Sequence, residues 1–223
     1  MTQVKELRER ILLIHELLIK AYGARIWAEY DPLDTLMLTI LSQNTNDVNR
    51  DRAFVALRER FPTWEEVRDA PAEQVIESIR IAGLANQKGP RMQEALSIIT
   101  NRAGNLNLGF LQHMEMEEAR QWLTSIKGVG PKTAAIVLCF SFGRPAFPVD
   151  THIHRVTRRI GLIGPKITRE QAHVILEDLV PAEICYVFHL DLIEHGRHVC
   201  KAGRPLCEIC TIRGFCDYIQ NGL

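Results

Sequence analysis

Lys132 stands just past the run Gly128-Val129-Gly130-Pro131, and the apolar segment Thr133-Ala134-Ala135-Ile136-Val137-Leu138 follows it. The glycines read as a tight turn, and Pro131 as a first helical residue whose missing N–H costs nothing. Lys132 therefore falls in the first turn of a helix. The helix dipole disfavours a cation there and favours the neutral, nucleophilic amine. The bland alternative is a solvated lysine beside a turn. Asp150 follows in Pro148-Val149-Asp150-Thr151-His152, at a position suited to an N-cap. A third group is Cys200, Cys207, Cys210 and Cys216, four thiols in 17 residues spaced C-x6-C-x2-C-x5-C. Such a density means disulfides or a metal site. The segment Met1–Glu6 has no signal-peptide character, which favours the metal. Only Cys207 and Cys210 form a zinc-knuckle pair, and thiolates suit iron–sulfur clusters equally, so the spacing leaves both open. Cys139 and Cys185 lie in apolar surroundings and read as core residues. His195 and His198 read as helix or surface histidines, because four cysteines already complete a site.

The elements that must hold these groups are helical. Leu7, Ile11, Ile14, Leu17 and Leu18 make one stripe, ending near Gly23; Leu33, Leu36, Met37, Ile40 and Leu41 recur at i, i+3, i+4, i+7 and i+8. A helix from Asp47 ends before Pro62, and further helices are expected at about 72–82, 88–102, 115–125, 131–142, 151–161, 169–179 and 182–198. Thr63 with Glu66 and Thr168 with Gln171 have capping-box spacing. No segment alternates as a strand would, so the fold class is all-α. Hydrophobic residues make up 46% of the 223, enough for a core, and no apolar run reaches the roughly 18 residues of a membrane span. The formal charge is zero, yet residues 127–169 carry eight basic residues against Asp150 alone. That stretch is expected to present a phosphate-binding surface.

Three motifs together resemble the endonuclease III family of DNA glycosylases, within the helix-hairpin-helix superfamily. They are the hairpin Ile126-Lys127-Gly128-Val129-Gly130-Pro131-Lys132-Thr133-Ala134, the segment Val149-Asp150-Thr151-His152-Ile153-His154-Arg155-Val156, and the four-cysteine ending. The resemblance implies two helical lobes with a DNA cleft between them: a six-helix barrel lobe over 26–133 and a discontinuous cluster lobe formed by 1–25 with 134–223. It implies a [4Fe–4S] cluster on Cys200, Cys207, Cys210 and Cys216. The implied partner is double-stranded DNA containing damaged bases or abasic sites, bound by an intracellular monomer with no membrane association.

The same resemblance implies roles for individual residues. Lys132 is the nucleophile that forms a Schiff base with the deoxyribose, and Asp150 assists it. The implied activity is base-excision repair: an N-glycosylase removing oxidised pyrimidines, with an AP lyase step cutting the strand by β-elimination. Gly128 and Gly130 bring hairpin N–H groups to a phosphate, with Val129 anchoring the turn. Lys201 and Arg204 form a phosphate contact on the cysteine loop. Asn44, with Gln43 beside it, occupies the place of a wedge glutamine, and Leu84 that of an intercalating leucine. Asn44 departs from the family pattern in that place, and three further positions do so: Ala85 for a tyrosine, Lys127 for a proline and His154 for an aromatic residue. A related glycosylase with another damaged-base preference is the nearest alternative. The adenine-removing mismatch glycosylases fit less well, since they usually lack the hairpin lysine and carry an extra C-terminal domain. A non-catalytic DNA-binding protein with a structural zinc site accounts for the hairpin and cysteines but not for Lys132 and Asp150 together.

Overall fold

The structure is a computed structural model that describes residues 2–220. Among these the regular elements are helical, and the chain divides into two compact units: Met1–Ala28 with Gly143–Leu223, and Glu29–Phe142. No helix among the described residues is long and apolar enough to cross a membrane.

The continuous unit is organised around helix α2 (Pro32–Ser42). Asp31 caps it by accepting hydrogen bonds from the N–H groups of Leu33 and Asp34, and Pro32 takes the first helical position. The whole expected stripe, from Leu33 to Leu41, is buried. Each such side chain contributes roughly 1.5–3 kcal/mol of transfer free energy, against the entropy of ordering it. The helices α3 (Asp47–Arg60), α4 (Trp64–Asp69), α5 (Ala72–Ser78), α6 (Ala85–Ala103), α7 (Met116–Thr124) and α8 (Pro131–Ile136) complete the unit. The capping box of Thr63 and Glu66 opens α4. Helix α6 starts three residues before its expected position, because Leu84 adopts a left-handed conformation (φ 51°, ψ 29°) and its carbonyl accepts from the N–H groups of Gln87 and Lys88. Helix α8 passes into a π-turn at Val137–Ser141, so the expected single helix over 131–142 is interrupted.

The discontinuous unit holds α1 (Thr2–Tyr22), α9 (Thr151–Arg159), α10 (Arg169–Leu179), α11 (Cys185–His198) and α12 (Asp217–Gln220). Ile11, Ile14 and Leu18 of α1 are fully buried, as are Phe188 and Leu192 of α11. Helices α9 and α11 pack closely because Gly196 has no side chain: a Cβ there would lie 2.8 Å from the Cβ of His152. The unit boundary falls at Phe142 rather than 133, since Ala134, Ala135, Val137 and Leu138 are buried in a helix that packs on α2.

Candidate functional site

The hairpin is anchored from below. Ile126 and Val129 are buried, and the N–H of Val129 donates to the Ile126 carbonyl at 3.0 Å. Only one of its glycines is conformationally required. Gly128 has φ +86°, and a Cβ there would lie 2.4 Å from Cδ of Arg91. Gly130 has φ −93°, open to any residue, and nothing lies within 4 Å of its Cβ position. What Gly130 provides is a bare backbone at the start of α8. Thr133, Ala134 and Ala135 face the core, while Lys132 is exposed in the first turn, which carries no acidic residue. Lys127 is exposed and paired with Glu94 at 3.2 Å.

Asp150 lies on the discontinuous unit, half-buried, and caps α9: its Oδ1 accepts from the N–H of Ile153 at 2.8 Å. The strap before it is pinned by groups that the sequence pattern did not single out. Nδ1 of the buried His189 donates to the Pro148 carbonyl at 3.0 Å, and Nδ1 of His173 to the Phe147 carbonyl at 3.2 Å. Carbonyls only accept, so both rings carry a proton on Nδ1. Glu177 accepts from the N–H of Phe147. His154 takes up a structural bond, 2.8 Å from Nε2 to the Ile167 carbonyl.

The cysteine segment follows α11. Cys200, Cys207, Cys210 and Cys216 are free thiols, and they lie near enough for the charge on one to raise the pKa of another. Burial is the larger cause, pushing Cys210 up to about 11. Among the described residues no three His, Cys, Asp or Glu side chains converge as ligands of a metal ion. His195 is not a surface residue: it is buried, Nδ1 lies 2.8 Å from the Tyr22 hydroxyl, and Nε2 lies 3.5 Å from Sγ of Cys210. Burial lowers its pKa to about 4, so the ring is neutral. His198 is exposed beside Glu194. Cys139 and Cys185 are core residues, as expected.

The basic stretch is not one continuous open surface. Arg155 turns inward and donates to the carbonyls of Cys200 (2.9 Å) and Gly196 (2.7 Å). Arg159 donates to Sγ of Cys200 (3.3 Å) and to the carbonyls of Lys201 (2.8 Å) and Ala202 (3.2 Å). These two guanidiniums hold the backbone of the cysteine loop, whose Lys201 and Arg204 side chains are exposed. Charge density in the sequence could not reveal this division, because the acceptors lie some forty residues downstream.

The two remaining candidate loops belong to the continuous unit. Among the described residues, Asn44 (φ 53°) and Leu84 (φ 51°) are the non-glycine residues with positive φ, a conformation that is uncommon for any side chain and strained for a bulky one. Both are exposed, Leu84 to 47%. Gln43 is committed elsewhere: Oε1 accepts from Arg91 Nη1 at 2.9 Å, and Nε2 donates to the Gly128 carbonyl at 3.4 Å. The geometry thus separates an outward Asn44 from a Gln43 that braces the hairpin.

Comparison with known proteins gives a consistent pattern. Residues 37–182 match the family described as HhH-GPD superfamily base excision DNA repair protein. The chain is 33% identical over 193 residues to endonuclease III of Thermotoga maritima, covering 86% of each protein. It is 34% identical over 191 residues to endonuclease III of Sulfolobus acidocaldarius, covering 85% of this chain and 83% of that protein. Among solved structures, a trapped endonuclease III–DNA covalent intermediate is similar with a TM-score of 0.81 and 25% identity, covering 96% of this chain and 98% of that one.

Proposed function

The chain belongs to the HhH-GPD superfamily of base excision DNA repair proteins and is an endonuclease III-like DNA glycosylase, and from that premise we propose that it removes oxidised pyrimidines and cuts the strand through a Schiff base on Lys132. The observation that carries this reading is the exposed Lys132 amine in the first turn of a helix whose other face is buried. A similar protein is known as a covalent intermediate with DNA, and an amine is the group in this hairpin suited to such a bond.

A damaged base is inaccessible inside the duplex and must leave the stack first. The neutral Lys132 amine then attacks C1′ of the deoxyribose, and the bond to the damaged base breaks as its electron pair leaves with the base. Ring opening gives the Schiff base. Loss of a C2′ proton drives β-elimination, which breaks the C3′–O bond and releases the 3′ strand. Asp150 takes up the amine proton or stabilises positive charge developing on the sugar, in addition to capping α9. Gly128 and Gly130 present N–H groups to a phosphate, with Val129 as the buried anchor. Lys201 and Arg204 add a phosphate contact. Asn44 and Leu84 enter the space left by the displaced base, with Gln43 bracing the hairpin. The protein acts as a monomer on double-stranded DNA.

The donor set at the C-terminal end fits a [4Fe–4S] cluster. The four thiols are free of disulfides and near enough for their charges to act on one another, a guanidinium donates to one of them, and a neutral imidazole lies against another. Cys200, Cys207, Cys210 and Cys216 would hold the group, which supplies a cross-link closing the 200–216 segment rather than an open reaction site. The purified protein is expected to show visible iron–sulfur absorption and to contain iron. A colourless protein with stoichiometric zinc overturns this assignment.

The substrate reading is tested by a cleavage panel of duplexes bearing thymine glycol, other oxidised pyrimidines, 8-oxoguanine, alkylated purines or an abasic site. Oxidised pyrimidines are expected to be cut fastest among the damaged bases. A clear preference for a purine lesion contradicts it.

A further inference from the structure

Helix α6 carries a buried cation that the mechanism above does not use. Lys88 is 1% exposed, and its Nζ donates to three oxygens: the Leu41 carbonyl (2.8 Å), Oγ1 of Thr45 (2.6 Å) and the Ala82 carbonyl (2.9 Å). An ammonium has three N–H donors, so each is used. The Thr45 hydroxyl donates in turn to the Ala82 carbonyl. These partners are oxygens of neutral groups. A buried charge held in this way costs desolvation that an apolar side chain would not, and burial does lower the amine's pKa.

The placement of the three acceptors shows what that cost maintains. Leu41 lies in the last turn of α2 just before the 43–46 loop, Thr45 lies within that loop, and Ala82 directly precedes Gly83-Leu84. Lys88 therefore ties together the loops that bear Asn44 and Leu84, the two non-glycine residues with positive φ among the described residues. One turn further along α6, Arg91 binds Gln43, which reaches the carbonyl of Gly128 in the hairpin. Two cations on one face of a helix thus join three loops within one unit. A strained backbone persists only where its surroundings over-determine it. Without the clamp the loops must be ordered when DNA binds, and that ordering subtracts from binding.

We propose that Lys88 is a positioning residue that presets the Asn44 and Leu84 loops for insertion into duplex DNA. The proposal rests on the reading of those two residues as the ones that enter the vacated space. It sets apart opening of the duplex, which needs the clamp, from chemistry on a sugar that is already unpaired, which does not.

The test uses Lys88→Met, which keeps the length and removes the three donors, and Thr45→Val, which removes one acceptor and is milder should Lys88→Met fail to fold. The first readout needs no chemistry: fluorescence of 2-aminopurine placed opposite a tetrahydrofuran abasic analogue in a duplex, at saturating protein. The parent protein is expected to raise the fluorescence by unstacking the probe, and both variants to lose most of that rise. The second readout is the ratio of borohydride trapping rates on a duplex abasic site and on the same site in single-stranded DNA. Lys88→Met is expected to lower that ratio on the order of tenfold or more, and Thr45→Val to lower it less. A full fluorescence rise in both variants, an unchanged ratio, or a parent protein that unstacks nothing overturns the proposal. If the parent unstacks the probe but forms no adduct, the Lys132 mechanism fails and the Lys88 role stands.

Discussion

Lys132→Ala is expected to abolish the borohydride-trapped adduct on abasic DNA and to lower strand cleavage on the order of 10³-fold or more. Folding should be spared. The side chain is exposed, alanine is the best helix former, and the substitution removes a cation from a turn where the helix dipole disfavours it. A melting temperature equal to or slightly above the parent's is therefore expected alongside the lost adduct. This separates loss of a nucleophile from loss of structure. An adduct of undiminished yield in the variant assigns the covalent step to a different amine.

Asp150→Asn is expected to lower turnover on the order of 10²-fold or more, with stability nearly unchanged. Asparagine caps a helix about as well as aspartate, so the bond from the N–H of Ile153 survives while the charge is lost. The helix dipole loses an anion at its N-terminus, roughly 0.5 kcal/mol. Asp150→Ala should show the same catalytic loss and, in addition, about 1 kcal/mol of destabilisation from the missing cap. Single-turnover kinetics beside thermal melts resolve the two. An Asp150→Asn protein with full turnover shows that the carboxylate serves α9 alone.

Leu33 through Leu41 and the caps at Thr63 and Thr168 behave as their spacing indicates, because each depends on neighbours within about two turns. The same holds for Asp150 as a cap and for Lys132 at the start of α8, whose next residues turn into the core. The interruption of α8 at Val137 was not legible, since an apolar run accommodates either an α- or a π-turn. The equal treatment of Gly128 and Gly130 was also undone from a distance. Gly128 takes a positive φ (+86°) and the Arg91 side chain, from a separate helix, fills its Cβ position, while Gly130 meets nothing.

The amino-acid sequence by itself determined the helices, the exposed lysine in the hairpin, the capping aspartate and the four thiols, because each is a matter of residue type and short spacing. Only the tertiary structure decided how the charges are used. Arg155 and Arg159 hold the cysteine loop, Gln43 braces the hairpin, His173 and His189 pin the strap before Asp150, and Lys88 is buried beneath the loops of Asn44 and Leu84. The physical reason is common to all of them. A polar group's role follows from the oxygen it reaches once water is excluded, and in most of these bonds that oxygen lies more than twenty residues away along the chain.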